Sequence, residues 1–256
     1  EMDSIMSLAE DHGLYVIEDC AQAHGALYKG RSVGSIGHIG AWSFCQDKIM
    51  TTGGEGGMVT TNDSDLWSKM WSYKDHGKSW EEVYEQEHPP GFRWLHKSFG
   101  TNWRMTEMQA TIGRIQLAKM ADWRKLRDNN ANSILDVCKN FPSIIRVPRI
   151  PEYIEHAWYK CYVFVRPEGL KKDWSKERIL EEVIARGVPC YSGSCSEVYL
   201  EKAFYRTGYE PKERLPVAKE LGETSIMFLV HPTLTVEQID LTCEVIHAVF
   251  SQVVSQ

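Results

Sequence analysis

The segment from residue 14 to residue 61 constrains the fold more than any other part of the chain. It contains three short apolar runs, at 14–17, 39–44 and 58–61, and the first two of them end in polar residues. Short buried strands that end in polar side chains are typical of open α/β sheets, in which ligands bind just beyond the strand ends. The segment therefore predicts an α/β fold with a functional site at one sheet edge.

A lysine, a hydroxyl and a carboxylate are presented at these predicted strand ends. Asp19 follows the first run, Ser43 lies near the end of the second, and Lys48 comes five residues later, before the glycine-rich sequence TTGGEGG at 51–57. Burial of an amine favours its neutral form, which is nucleophilic toward aldehydes. An anionic cofactor that also needs an amine fits this set, and pyridoxal 5'-phosphate is the first interpretation.

Each of these residues also has an ordinary structural interpretation. In the structural interpretation, Lys48 is an exposed loop lysine and Asp19 caps the following helix or turn, while Ser43 is a serine that the strand merely tolerates. In the functional interpretation, Asp19 pairs with the pyridinium nitrogen, Gln22 donates to the phenolic oxygen, and Ser43 binds the phosphate. Asn102, just before a predicted helix, is either a helix N-cap or a further ligand.

Three histidines are candidates for substrate contact. They are His24, His156 and His231, and a structural or surface role is the commoner one for each. No pair of histidines has metal-ligand spacing, so we expect no metal site. The GxG sequences do not open a helix after a first strand, which argues against a dinucleotide fingerprint.

Composition excludes several classes of protein. The 256 residues carry a net charge of −6 with no basic block, so we expect no nucleic-acid partner. No apolar run reaches membrane-spanning length and no signal peptide is evident, so we expect no membrane partner. The seven cysteines are never spaced CxxC, a pattern typical of reduced thiols in a cytoplasmic protein.

The order of predicted elements suggests two domains, at 1–140 and 141–256, with the second a small α+β domain. The predicted strands are at 14–17, 39–44, 58–61, 156–166 and 188–192, and the predicted helices are one ending at Gly13 and others at 66–73, 105–130, 179–187 and 236–250. Residues 76–100 are predicted to form a long polar and aromatic loop. Because the chain begins within a helical pattern, we expect a further N-terminal part in the natural protein.

Four motifs together resemble the sugar aminotransferases of the DegT/StrS family. They are EDCAQAHGA (18–26), GSIGHIGAWSFCQDK (34–48), TTGGEGGMVTT (51–61) and GTNWRMTEMQATIGRIQL (100–117). Weaker similarities continue through HAWYKCYVFVR (156–166) to LVHPTLTVEQI (229–239). Their order and spacing also match, so the resemblance covers essentially the whole chain.

The resemblance implies a fold like that of aspartate aminotransferase, with a pyridoxal-phosphate-binding large domain, a small C-terminal domain and a homodimer that shares its active sites. By position, Lys48 is similar to the lysine that links to the cofactor aldehyde, and Asp19 to the pyridinium partner. Gln22 and Ser43 take the phenolic-oxygen and phosphate positions. Asn102 resembles the asparagine that reaches the phosphate in the neighbouring subunit.

The implied reaction moves an amino group, with glutamate as the expected donor, to a nucleotide-linked keto-sugar, and Lys48 serves as general base and acid. The phosphate-cradling loop and the ring-stacking aromatic residue of the family would lie in the expected N-terminal part. Two alternatives remain open. One is a sugar dehydratase, which Lys48 disfavours because that branch has histidine there. The other is a truncated or non-catalytic relative that acts as a regulatory or interaction protein.

Overall fold

The computed structural model describes residues 1–254 and divides into two compact units. The first comprises residues 1–122 and 152–157, and the second residues 123–151 and the chain from 158 onward. The division at residue 122 lies within a helix, whereas the domain boundary expected at residue 140 stays a prediction. None of the helices described between residues 1 and 254 is long and apolar enough to cross a membrane.

A three-stranded sheet organises the first unit. The elements of this unit are α1 (Met2–Asp11), β1 (Ile17–Asp19), β2 (Leu27–Tyr28), β3 (Arg31–Ser32), β4 (Ile39–Ser43), β5 (Gly57–Thr60), α2 (Ser64–Lys74), α3 (Trp80–Tyr84), α4 (Glu107–Leu117) and β7 (Ile154–Glu155). The strands of the sheet run in the order β1, β4, β5, and β1 is parallel to β4 while β5 is antiparallel to β4. A second small antiparallel sheet has the order β3, β2, β7.

A four-stranded antiparallel sheet and four α-helices make up the described part of the second unit. The elements are α5 (Met120–Cys138), whose first residues belong to the first unit, β6 (Ile145–Arg146), β8 (Cys161–Val165), α6 (Lys176–Ala185), β9 (Cys190–Tyr191), α7 (Pro216–Thr224), β10 (Ser225–Phe228) and α8 (Val236–Val253). The strand order in the sheet is β6, β8, β10, β9.

The core of the second unit follows directly from its sequence periodicity. On β8 the side chains alternate, so Cys161, Val163 and Val165 are buried while their neighbours are half-buried. Helix α8 contributes Ile246 and Phe250 to the same core. The predicted strand at 156–166 and the predicted helix at 236–250 correspond to β8 and α8.

The structure corrects several predicted elements. The helix expected over 105–130 is two helices, α4 and α5, which are separated at residues 118 and 119. The expected loop at 76–100 contains the short helix α3, which begins at a Ser79 cap. Helix α7 and strand β10 were not predicted, although the apolar run at 226–230 has the composition of a buried strand.

Candidate active site

The ends of two parallel strands bring the predicted carboxylate and hydroxyl to one sheet edge. In the β1–β4 pair, Asp19 lies opposite Ala41, and Ser43 is two residues further along β4. At about 3.3 Å per residue, this offset is about 7 Å along the strand direction. Because parallel strands finish on the same side of a sheet, Asp19, Ser43 and the turn after Ser43 share that side.

The acid pair at the end of β1 divides its work between the interior and the site. Glu18 is buried, and its carboxylate accepts hydrogen bonds from the backbone N–H groups of Gly34 (2.7 Å), Ile36 (2.8 Å) and Gly37 (2.6 Å). Asp19 is exposed, and its Oδ1 accepts from Ala21 N at 3.0 Å. Glu18 therefore fixes the glycine loop at 34–37, while Asp19 presents a carboxylate at the sheet edge.

The next residue, Cys20, is buried. It is 1% exposed, and its thiol donates to the Glu18 backbone oxygen at 3.6 Å. Burial and the neighbouring Glu18 and Asp19 carboxylates raise the pKa of the Cys20 thiol to about 11. Cys20 therefore offers no accessible thiolate at this edge.

Lys48 lies in a turn that its own backbone closes. Lys48 N donates to Cys45 O at 3.0 Å, and the Lys48 side chain is half-buried. The residues that follow, Ile49 and Met50, are 2% and 6% exposed and anchor the turn in the interior. Ser43 Oγ accepts from Cys45 N at 3.4 Å, so the serine and the lysine belong to one continuous turn.

The glycine-rich sequence after Lys48 returns the chain to β5 at close range. Gly53 has φ of +83°, a left-handed conformation that favours glycine. A Cβ on Gly56 would lie 2.2 Å from Thr52 Oγ1, so only glycine fits there without displacing that threonine. Phe44 N donates to Gly56 O at 2.8 Å, which joins the two sides of the turn.

Helix α4 holds this turn through two glutamine side chains that sequence reasoning did not single out. Gln116 Oε1 accepts from Thr51 N at 2.9 Å, and Gln109 Nε2 donates to Glu55 O at 2.8 Å. Gln109 also completes a capping box with Thr106 at the start of α4. These contacts join residues 54 to 65 positions apart in sequence, so no local pattern announces them.

The remaining predicted ligands lie in different settings. Gln22 is exposed in the turn after β1. Asn102 is also exposed, and its backbone forms an antiparallel bridge with Asp75. The roles of Gln22 and Asn102 stay predictions.

The three predicted substrate histidines differ in exposure. His24 is 4% exposed, with its ring 5.3 Å from the Trp42 ring and 5.9 Å from the Phe44 ring, as in a packed interior. His156 is exposed in the first unit. His231 belongs to the second unit, where its Nδ1 lies 2.8 Å from Thr233 Oγ1, and partial burial together with the Arg127 charge lowers its pKa.

Comparison with known proteins decides the family. The sequence model of the DegT/DnrJ/EryC1/StrS aminotransferase family matches residues 1–249. The chain belongs to this family. The recognition made from the four motifs is thereby confirmed.

Curated relatives of this chain are longer than the chain itself. The GDP-perosamine synthase of Escherichia coli O157:H7 is 31% identical over 252 residues, which are 98% of this chain and 62% of that protein. The UDP-N-acetyl-3-dehydro-α-D-glucosamine 3-aminotransferase of Acidithiobacillus ferrooxidans is 30% identical over 239 residues, 93% of this chain and 58% of that protein. The chain therefore spans about 60% of the length of these relatives.

A solved structure confirms the fold of this chain. The X-ray structure of the aminotransferase from Psychrobacter cryohalolentis is 65% identical, with a TM-score of 0.96, over 98% of this chain and 66% of that one. The α/β fold predicted from the strand ends and motifs is thus the fold of this family.

Proposed function

We propose that the protein is a pyridoxal-phosphate-dependent aminotransferase that acts on a nucleotide-linked keto-sugar in amino-sugar biosynthesis. The observation that supports this proposal is the pairing of Asp19 with Ala41, two residues before Ser43, with the turn that contains Lys48 directly after β4. Family membership supports the same activity, because the family is one of aminotransferases. As the chain spans about 60% of its relatives, the proposal concerns the whole protein.

The donor set fits pyridoxal phosphate chemically. Lys48 would bind the aldehyde, Asp19 the pyridinium N–H and Ser43 the phosphate, with Gln22 toward the phenolic oxygen. Asn102 would bind the phosphate in the neighbouring subunit. When bound, the cofactor supplies an electron sink for the electrons of a broken bond at the amino-acid α-carbon.

The chain's own residues would then supply proton transfer and positioning. Lys48 would act as general base and take the proton from the α-carbon of the donor. It would then act as general acid and deliver that proton to the former aldehyde carbon of the cofactor. The exposed Asp19 carboxylate would keep the ring nitrogen protonated, since a nearby negative charge favours a cation. The Gln116 and Gln109 contacts would limit the movement of the lysine turn.

The substrate class rests on the relatives. Their names specify sugars on GDP and on UDP, so a nucleotide-linked sugar is the shared chemistry, while the particular sugar and nucleotide differ. Glutamate is the proposed amino donor. We keep His156 and His231 as candidate sugar contacts, and His24 as the least accessible of the three.

We further propose a homodimer in the cytoplasm. Helix α4 exposes Met108, Ile115 and Leu117 by 77%, 55% and 61%, an apolar surface suited to a subunit interface. The seven cysteines are free thiols, which suits a reducing compartment.

A half-reaction tests the proposal without knowledge of the sugar. The full-length protein, loaded with pyridoxal phosphate and freed of excess cofactor, is mixed with glutamate alone. We expect about one equivalent of 2-oxoglutarate per active site, with continuous turnover only when a nucleotide keto-sugar is added. An exposed-lysine variant, Lys69→Arg, is the matched control and should behave like the parent. Absence of 2-oxoglutarate from a loaded protein would contradict the aminotransferase assignment and favour a non-catalytic relative.

A further inference from the structure

We propose that Asp75 is a positioning residue that holds Asn102 in place for the phosphate of the cofactor. The inference rests on the proposed function, since it concerns a ligand of that site. It concerns two chain segments, 73–78 and 96–104, which we call the neck because they join the ends of the loop between α2 and α4.

The backbone of the neck fixes the chain on both sides of Asn102. Thr101 N donates to Tyr73 O at 2.7 Å, and Trp103 N donates to Lys74 O at 3.0 Å. Between them, Asn102 pairs with Asp75 in an antiparallel bridge. Any displacement of Asp75 would therefore be transmitted to the backbone of Asn102.

Side chains connect the same two residues. Asp75 is 8% exposed and accepts from Arg104 Nη1 at 2.6 Å and from Lys78 Nζ at 3.3 Å. Arg104 N, in turn, donates to Asn102 Oδ1 at 3.4 Å. A buried carboxylate thus holds the arginine whose own backbone orients the Asn102 amide.

The neck is also tightly packed around this anchor. His76 has φ of +61°, an unfavourable value for a residue with a side chain. A Cβ on Gly77 would lie only 1.8 Å from Ser98 O, and one on Gly100 would lie 2.4 Å from Gly77 N. Such a conformation persists only where its surroundings hold it, and the Asp75–Arg104 pair is the shortest of the ion pairs that Asp75 forms next to His76.

The cofactor itself offers a readout that a purely structural role would not produce. Pyridoxal lacks the phosphate of pyridoxal phosphate but keeps the aldehyde and the ring. A residue that acts through Asn102 should affect binding of the phosphorylated compound alone. A residue that merely stabilises the fold should affect both compounds alike.

The experiment measures the Kd of both compounds for cofactor-free, full-length protein. The variants are Asn102→Ala, Asp75→Asn, the double variant that combines these two changes, and Arg104→Lys. The Arg104→Lys change keeps the positive charge but loses the planar donor pair of the guanidinium group. Glu87→Gln is the matched control, because it removes an exposed carboxylate from the same loop outside the neck. A phosphate hydrogen bond corresponds to about tenfold in Kd.

We expect Asn102→Ala to weaken binding of pyridoxal phosphate about tenfold, and Asp75→Asn and Arg104→Lys about three- to tenfold. The double variant should be no weaker than Asn102→Ala within about twofold, and pyridoxal binding should stay within about twofold throughout. Equal loss for both compounds, multiplicative losses in the double variant, or no effect of Asp75→Asn would each overturn the inference alone. If the parent protein binds neither compound at Lys48, the proposed function fails and the inference fails with it.

Discussion

The two compact units bury their apolar side chains to very different extents. In the second unit, Phe228, Ile246 and Phe250 have no exposed surface, and they belong to one continuous core. In the first unit, Ile17 at the start of the edge strand β1 is 64% exposed, and Trp103 is 69% exposed. The second unit is thus specified by its own core, whereas the first leaves large apolar side chains exposed.

The first unit instead holds its loops through buried and partly buried polar contacts. Glu18 binds three backbone N–H groups, Gln116 binds the lysine turn, and Asp75 binds the neck. The contacts of Gln116 and Asp75 fix segments that carry a proposed ligand, Lys48 and Asn102 respectively. The comparison therefore predicts that substitutions in the first unit change activity more than stability, and the reverse in the second.

The largest expected effect is that of Lys48→Ala in the full-length protein. Turnover should fall by at least about 10³-fold, because no other described amine in this turn replaces the lysine as base and aldehyde partner. The thermal midpoint and the dimer should be unchanged. Transamination assays measure the turnover, thermal denaturation measures the midpoint, and analytical ultracentrifugation measures the dimer. Near-normal turnover would contradict the proposed role of Lys48 and the expected activity effect in the first unit.

The next effect belongs to the second unit. Ile246→Ala should lower the free energy of unfolding by about 3 kcal/mol, the usual cost of a cavity at a fully buried isoleucine. In this chain, Ile17→Ala, at an exposed position, should cost less than about 0.5 kcal/mol. Denaturant unfolding measures both changes, and similar values for the two variants would show that the units do not differ as described.

A smaller effect is expected at the contact between α4 and the lysine turn. Gln116→Ala removes the acceptor for Thr51 N and should cost about 1 kcal/mol. Amide exchange should accelerate in residues 44–57 and remain unchanged in α8. Gln238, which caps α8 in a similar capping box to that of Gln109, offers a control variant, Gln238→Ala, outside the site. Uniform acceleration across both units would contradict a local role for Gln116.

The smallest effect is a pH dependence in the second unit. Hydrogen bonds from Arg214 and Tyr199 lower the pKa of Glu197 to about 2. This folded-state pKa lies below the ordinary value of about 4.3. The contact therefore stabilises the segment that Glu197 and Arg214 join, at pH values above that ordinary pKa. The stabilisation should be lost as pH falls from about 4 toward 2, and Glu197→Gln should abolish this dependence in amide-exchange measurements. An unchanged profile in the variant would assign the acid sensitivity to other groups.

Sequence reasoning found the residues whose roles are local. The strand containing Ser43 and the glycines after Lys48 are readable from apolar runs and turn residues, and Asp19 does end a strand, but that strand is Ile17–Asp19 and not the predicted 14–17. It could say that adjacent acids on a strand face opposite sides, but not that Glu18 faces inward. That assignment depends on the loop at 34–37, which only the folded chain brings to it.

Contacts between distant segments were beyond prediction for the same reason. Gln109 and Gln116 have no sequence feature that separates them from other helical glutamines, and Asp75 meets Arg104 across 29 residues. Helix α4 exposes Met108 and Leu117, and these apolar side chains support the proposed dimer.

The most direct test of the account is to find where pyridoxal phosphate binds covalently. The full-length protein is mixed with the cofactor, reduced with borohydride to fix the bond between an amine and the aldehyde, and digested for peptide mass spectrometry. The account predicts one modified lysine, Lys48, in the peptide that spans the glycine-rich turn, and loss of the modification when glutamate is added before reduction. Modification spread over exposed lysines, with Lys48 untouched, would contradict it.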